Sequence, residues 1–230
     1  MKVTIFNGSP RRKASNSKLL IDQFQEGMQS VAEPTISVHY LADIKKNDVH
    51  QQAFKDASLV LIIFPLYTDS MPGVVKYFFE TIHTLPINAR RKIGFIVQSG
   101  FPEAKHSVFV ERYLEKFTRR LGCTYIGTVI KGGIEGIQDR SASMNRKLYS
   151  KFFHLGLYFA NYQELEPKIT KKLRNPYQLP RFALGIVRLL LWTGIMNKYW
   201  NKKLKEHQAY EKRFAQPFSI DEILNKENAL

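Results

Sequence analysis

The apolar positions of this chain change period several times along its length. "VTIF" (Val3–Phe6) has the pattern of a buried strand, and Leu20, Phe24, Met28 and Val31 then recur at helical spacing. "TISVHYL" (Thr35–Leu41) is rich in strand formers, and "SLVLIIFPLY" (Ser58–Tyr67) is a near-continuous apolar run. A run so short and so β-branched predicts a central parallel strand covered on both faces. "KIGFIVQSG" (Lys92–Gly100) and "CTYIGTVIKGG" (Cys123–Gly133) predict two more strands, with helical patterns over Gly73–His83, Val108–Leu121 and Ala142–Asn161. Five strands alternating with helices imply βαβ units and an α/β, doubly wound parallel sheet with right-handed crossovers. In such sheets ligands sit beyond the carboxyl ends of the strands, so the turns after the first, third and fourth strands are expected to carry the chemistry.

After Asn161 the pattern changes. Pro167, Pro176 and Pro180 in "ELEPKITKKLRNPYQLPRF" predict an extended connection over 163–181, between a domain at 1–162 and an extension at 182–230. The extension opens with "RFALGIVRLLLWTGIMNKYW" and continues into the charged "NKKLKEHQAYEKRFAQ". The apolar stretch Phe182–Met196 is interrupted by Arg188 and falls short of the roughly 20 residues a membrane span needs. Wound as a helix, it gathers Arg181, Gly185, Arg188 and Trp192 on one stripe and leaves a broad apolar remainder that requires a cover.

Composition narrows the function classes. The single cysteine, Cys123, excludes an internal disulfide, a CxxC redox pair and a thiolate iron–sulfur site. The first residues lead directly into a strand, without the pattern of a signal peptide, and the expected address is cytoplasmic. Net charge is +15, distributed as 22 basic against 15 acidic residues in 1–167 and 13 against 5 in 168–230. That balance attracts polyanions in general. No recognised nucleic-acid motif accompanies it, so no specific nucleic-acid partner is expected.

The turn after the first strand reads Gly8-Ser9-Pro10-Arg11, then Ser15-Asn16-Ser17. Neither GxGxxG nor GxxxxGK[ST] is present. A helix N-terminus offers unpaired N–H groups and partial positive charge to a phosphate, with the hydroxyls of Ser9, Ser15 and Ser17, the Asn16 amide and Arg11, Arg12 or Lys13 as further donors. The plainer account is that Ser15 or Asn16 caps the helix while the cations face water.

"FNGSPRRKASNSKLL" resembles the phosphate loop of the NAD(P)H-dependent FMN reductases and quinone reductases with a flavodoxin-like fold, and "FPLYTDSMPGVVKYFFE" resembles that family's loop after the third strand. The resemblance reaches to about residue 160. It implies a flavodoxin-like five-stranded sheet in order 2-1-3-4-5, FMN as cofactor, NADPH or NADH as co-substrate, and hydride transfer to a small acceptor such as a quinone, nitro or azo compound, or free flavin. Ser9, Pro10, Arg11, Ser15, Asn16 and Ser17 would hold the phosphate, and Pro65, Leu66, Tyr67, Thr68, Asp69, Ser70 and Met71 would line the isoalloxazine ring. Ser99, Gly100 and Phe101 would form a third wall, an assignment no detailed motif supports.

Ser70 is the expected N-cap of the following helix, with Pro72 in its first turn, so that its amides face negative charge on a reduced ring. Tyr67 and Met71 suit contact with a ring system. His106 is a candidate proton donor, set against the plainer role of a surface histidine. Flavin chemistry demands little general acid–base work from side chains, which accords with the lack of any Ser/His/Asp set.

Relatives of this kind are usually homodimers, so the extension is expected either to pack on the domain or to pair with a second subunit. Two other accounts are an interfacial helix meeting an anionic membrane through 182–205, and a lid over the flavin. A function of another class is a flavodoxin-fold module that binds an anionic surface or protein partner without turnover.

Overall fold

The computed structural model describes residues 2–31, 33–85, 90–194 and 197–216. It divides into two compact units, Met1–Gln178 and Leu179–Leu230. Ile195 and Met196 of the expected apolar stretch, and 217–230 of the extension, lie outside the described residues.

The first unit carries β1 (Lys2–Asn7), β2 (Thr35–Tyr40), β3 (Leu59–Pro65), β4 (Lys92–Gln98) and β5 (Thr124–Lys131), all parallel, in the order β2-β1-β3-β4-β5. Between them run α1 (Asn16–Gln29), α2 (Asn47–Asp56), α3 (Gly73–Ile82) and α4 (Val108–Arg120), followed by α5 (Ala142–Tyr162) and α6 (Pro167–Leu173). Side-chain alternation along the strands builds two cores. Val3, Ile5, Leu59, Leu61, Ile63, Ile96 and Val129 share one with α1 and α5, while Phe6, Val60, Ile62, Phe64, Phe95 and Val97 share the other with α3 and α4. Every residue of β3 is buried, as the continuous run "LVLIIFP" required.

α1 and α5 meet backbone to backbone. A Cβ on Gly27 would overlap the Phe153 carbonyl, and a Cβ on Gly156 would overlap the Phe24 carbonyl. Only glycine at both crossing points lets the helices approach so closely. At the opposite end of the sheet Arg91 is buried. Its Nε donates to Ala57 O at 2.7 Å and its guanidinium to Lys55 O at 2.9 Å, closing the orphan carbonyls at the end of α2.

Residues 163–181 differ from the expected extended connection. Pro167 opens α6, where its missing N–H is no loss, and Glu166 caps that helix from the preceding position. Leu165 and Leu173 are buried in the α1–α5 core. Beyond α6, Arg174 pairs with Glu111 of α4, and the N–H groups of Ala104 and Lys105 donate to the carbonyls of Pro176 and Tyr177 respectively, both at 3.0 Å. Pro167 and Pro176 thus lie in a strap that belongs to the first unit, while Pro180 lies in the second.

The second unit contains α7 (Arg181–Trp192) and α8 (Asn197–Glu206). No residue of α7 is buried. None of the described helices is long and apolar enough to cross a membrane.

Candidate functional site

The turn after β1 is organised from beneath by Asn7, a polar residue closing an apolar strand and fully buried. Its Oδ1 accepts the Ser9 N–H at 2.9 Å, and its Nδ2 donates to Ser15 Oγ at 3.4 Å. The Ser15 hydroxyl donates to the Arg12 carbonyl at 2.6 Å and accepts the Lys18 N–H at 3.1 Å, so Ser15 is the N-cap of α1. Gly8 donates its N–H to Ile63 O at 2.7 Å, and a Cβ there would overlap Val75, which fixes this position as glycine.

Ser9, Ser15, Asn16 and Ser17 are buried, while Pro10 and Arg11 stand exposed above them. The first amides of the 14-residue α1 have no intrahelical acceptor. The three cations of the turn divide. Arg12, at φ 51°, reaches to the second loop, with Nε 2.8 Å from Asp43 Oδ1 and a terminal nitrogen donating to Ala42 O at 3.1 Å. The side chains of Arg11 and Lys13 have no partner among the described residues.

The loop after β3 folds back on itself. Tyr67 and Ser70 exchange backbone hydrogen bonds at 2.9 and 3.0 Å around Thr68 and Asp69, both at positive φ (49° and 57°). That is the backbone of a tight two-residue hairpin turn, and holding a β-branched threonine in it costs about 1–2 kcal/mol. The expected capping role of Ser70 is therefore corrected: its backbone is spent on this turn, Pro72 occupies the N-cap position of α3, and no side chain caps that helix. Pro65 and Leu66 are buried, Met71 is half-buried, and Tyr67 is 46 % exposed.

The third wall follows β4. Buried Ser99 donates its hydroxyl to Phe101 O at 3.0 Å and its N–H to Lys131 O at 3.0 Å. Gly100 is exposed, and Phe101, 61 % exposed, stacks on the His106 ring with centroids 5.0 Å apart. His106 Nδ1 is 3.2 Å from Asp69 Oδ1, and its Nε2 is 3.4 Å from Glu103 Oε2. Both ring nitrogens thus face carboxylates, which makes the histidine a clasp between two loops.

The three turns converge on one edge of the sheet. Leu66 N–H donates to Gln98 O at 2.7 Å, Gln98 Nε2 lies 3.5 Å from Ser17 Oγ, and Asn16 Nδ2 donates to Ile134 O at 3.1 Å. Asn16 Oδ1 is buried without a protein partner. Positive potential accumulates around the fifth loop. Burial, followed by the charges of Lys151 and Arg140, pushes the Lys131 ammonium below its ordinary pKa. A hollow of about 390 Å³ beside the start of α1 is lined in part by Lys13, Ser15, Arg140 and Tyr149.

Two contributors to the shape of these loops are missing from the sequence reading. Asn7 carried a usable signal, a lone amide ending an apolar strand. The Arg174–Tyr177 strap behind the fourth loop carried none, because its prolines read as a linker. Among the described residues no group of acidic, histidine and cysteine side chains is placed to hold a metal ion.

Residues 1–151 match a family model described as "Flavodoxin-like fold". No curated protein matches the sequence. Among solved structures, an FMN-dependent NADH-azoreductase from Bacillus anthracis in complex with FMN is similar over 70 % of this chain and 100 % of its own, at 18 % identity and TM-score 0.56. An NAD(P)H:quinone oxidoreductase from Methanothermobacter marburgensis is similar over 69 % of this chain and 96 % of its own, at 16 % identity and TM-score 0.55. At such identities the likeness is one of fold.

Proposed function

The chain belongs to the family of flavodoxin-like fold, and on that premise we propose that it is an FMN-dependent NAD(P)H oxidoreductase delivering a hydride to a small acceptor. One observation carries the reading. Buried hydroxyls of Ser9, Ser15 and Ser17 gather at the start of α1 on the same sheet edge as the exposed rings of Tyr67 and Phe101.

These residues fit FMN by the chemistry of their donors. The opening amides of α1, the hydroxyls of Ser9 and Ser17 and the Arg11 guanidinium suit a phosphate dianion. The Asn16 carbonyl oxygen, lacking any protein donor, suits a hydroxyl of a polyol chain. Tyr67, Met71 and Phe101 supply the contact surface for a planar ring, and Ser99 with Gly100 supplies backbone of small cross-section beside it. FMN, when bound, provides the hydride-accepting and hydride-donating chemistry. The protein's part is to bind the phosphate, orient the ring between the third and fourth loops and exclude water from its buried side. His106, engaged by Asp69 and Glu103, orients those loops.

Purified protein mixed with FMN tests the reading. Retention of an oxidised-flavin absorbance band through gel filtration, its bleaching by NADPH or NADH, and recolouring by a quinone, nitro or azo acceptor are expected. Failure to take up FMN would overturn the proposal and favour a non-catalytic module for anionic surfaces.

A further inference from the structure

The second unit presents an unusual surface. In α7, Phe182, Leu184, Ile186, Leu189, Leu190, Leu191 and Trp192 are all exposed, Phe182 at 73 % and Trp192 at 85 %. At about 3.6 residues per turn, the apolar side chains spread over roughly 220° of the helix circumference. The remaining stripe holds Arg181, Gly185, Arg188 and Trp192. An exposed apolar surface of this kind marks an interaction site.

Charge decides the partner. Residues 179–216 hold eight basic and two acidic side chains. On α8, Lys198, Lys202 and Lys205 recur at positions i, i+4 and i+7 and share one face, and Trp200 is exposed. Pairing with a second copy would bring these like charges together. It would also cover a stripe narrower than the apolar arc of α7. An anionic surface instead neutralises the lysines while a non-polar phase takes the arc.

We propose that the second unit is a docking surface for an anionic phospholipid bilayer. α7 lies in the plane of the interface with its apolar arc toward the acyl chains, and Trp192 sits at headgroup level beside Arg181 and Arg188. The lysines of α8 meet lipid phosphates. The 12 residues of α7 span about 18 Å, well short of a hydrocarbon core of about 30 Å, so that helix lies on the bilayer rather than crossing it. This inference is independent of the flavin reading.

The chain has two tryptophans, Trp192 and Trp200, both in the second unit, so tryptophan emission, excited selectively over tyrosine, reports on this unit alone. Full-length protein is mixed with vesicles of phosphatidylcholine, or of phosphatidylcholine with about 30 % phosphatidylglycerol, and followed by tryptophan emission and by flotation. A blue shift and flotation with the anionic vesicles, weakened by salt, are expected. The set Lys198→Glu, Lys202→Glu and Lys205→Glu should lower partitioning by about 100-fold at roughly fivefold per lysine, and the matching Lys→Arg set should restore it. Ile186→Asp with Leu189→Asp should abolish it while the urea midpoint of the main unfolding transition stays fixed. Three outcomes would overturn the proposal: no shift with either vesicle, equal binding to neutral vesicles, or a stable dimer by light scattering whose tryptophan emission ignores vesicles.

Discussion

His106 Nδ1 lies 3.2 Å from Asp69 Oδ1, joining the loop after β4 to the loop after β3 through side chains that begin 37 positions apart. The pair is partly exposed, so its worth is modest, about 0.2–1 kcal/mol. Asp69→Asn or His106→Ala should weaken FMN binding about two- to fivefold, and the double variant should be no worse than the poorer single one. Titration by flavin fluorescence measures this. Strict additivity of the two losses would mean that the loops are held independently.

The basic turn offers a sharper discrimination. Arg11 is exposed and has no side-chain partner among the described residues, whereas Arg12 is committed to Asp43 and Ala42. Arg11→Ala should raise the FMN Kd by about tenfold, the effect of losing one charge-assisted hydrogen bond. Arg12→Ala should change that Kd by less than about twofold and lower stability by no more than about 1 kcal/mol. The reverse ranking would place the phosphate contact on the other arginine.

Asn7 supports the same loop from inside. Replacing it with alanine leaves the buried Ser9 N–H and Ser15 hydroxyl short of a partner, at a cost of about 1–3 kcal/mol. A lowered urea midpoint together with weaker FMN binding is expected. An unchanged midpoint would show that the loop does not depend on this amide.

Alkaline pH should destabilise the fold through Tyr125. Burial pushes its phenol up to about 12, only partly offset by the hydrogen bond to Thr128 at 2.8 Å. Below pH 10 both folded and unfolded tyrosine are protonated and the group is neutral to stability. Between pH 10 and 12 the unfolded chain releases its proton first, so stability falls, by no more than about 2 kcal/mol at the upper end for this partly exposed residue. Urea midpoints at pH 9, 10 and 11 should decline, and Tyr125→Phe should flatten that decline.

The α1–α5 crossing tolerates no side chain. Gly156→Ala drives a methyl into the Phe24 carbonyl, between two backbones that have no flexible end to yield. A loss of about 3 kcal/mol or more, or failure to fold, is expected from overpacking of this severity. Chemical denaturation measures it, and a loss under about 1 kcal/mol would show that the helices can slide apart.

Much of this architecture was legible in the residues. The continuous apolar run of β3 declared a strand covered on both faces, and the alternation of strand and helix patterns declared the doubly wound sheet. The Ser15-Asn16-Ser17 start of α1 was legible because capping chemistry is local. What escaped notice depends on partners distant in sequence. α2 buries only His50 and Phe54, too few apolar residues for a visible period. α6 looked like a linker because three prolines outweighed Leu165 and Leu173, whose burial only tertiary contacts reveal. Ser70 had the right chemistry for a cap, but the Tyr67–Ser70 turn took its backbone first. The Asp43 partner of Arg12 and the Asp69 partner of His106 follow from loop geometry, which no local pattern encodes.

The mutual glycine contact of α1 and α5 also governs which walls of the crevice can yield. With Gly27 and Gly156 interlocked, α1 and α5 are held together, and Asn16 ties the start of α1 to Ile134 in the loop after β5. On the proposed reading, admission of a bulky acceptor would fall to the other side, where the 3.2 Å His106–Asp69 contact and a strained two-residue turn are among the ties that would have to give way.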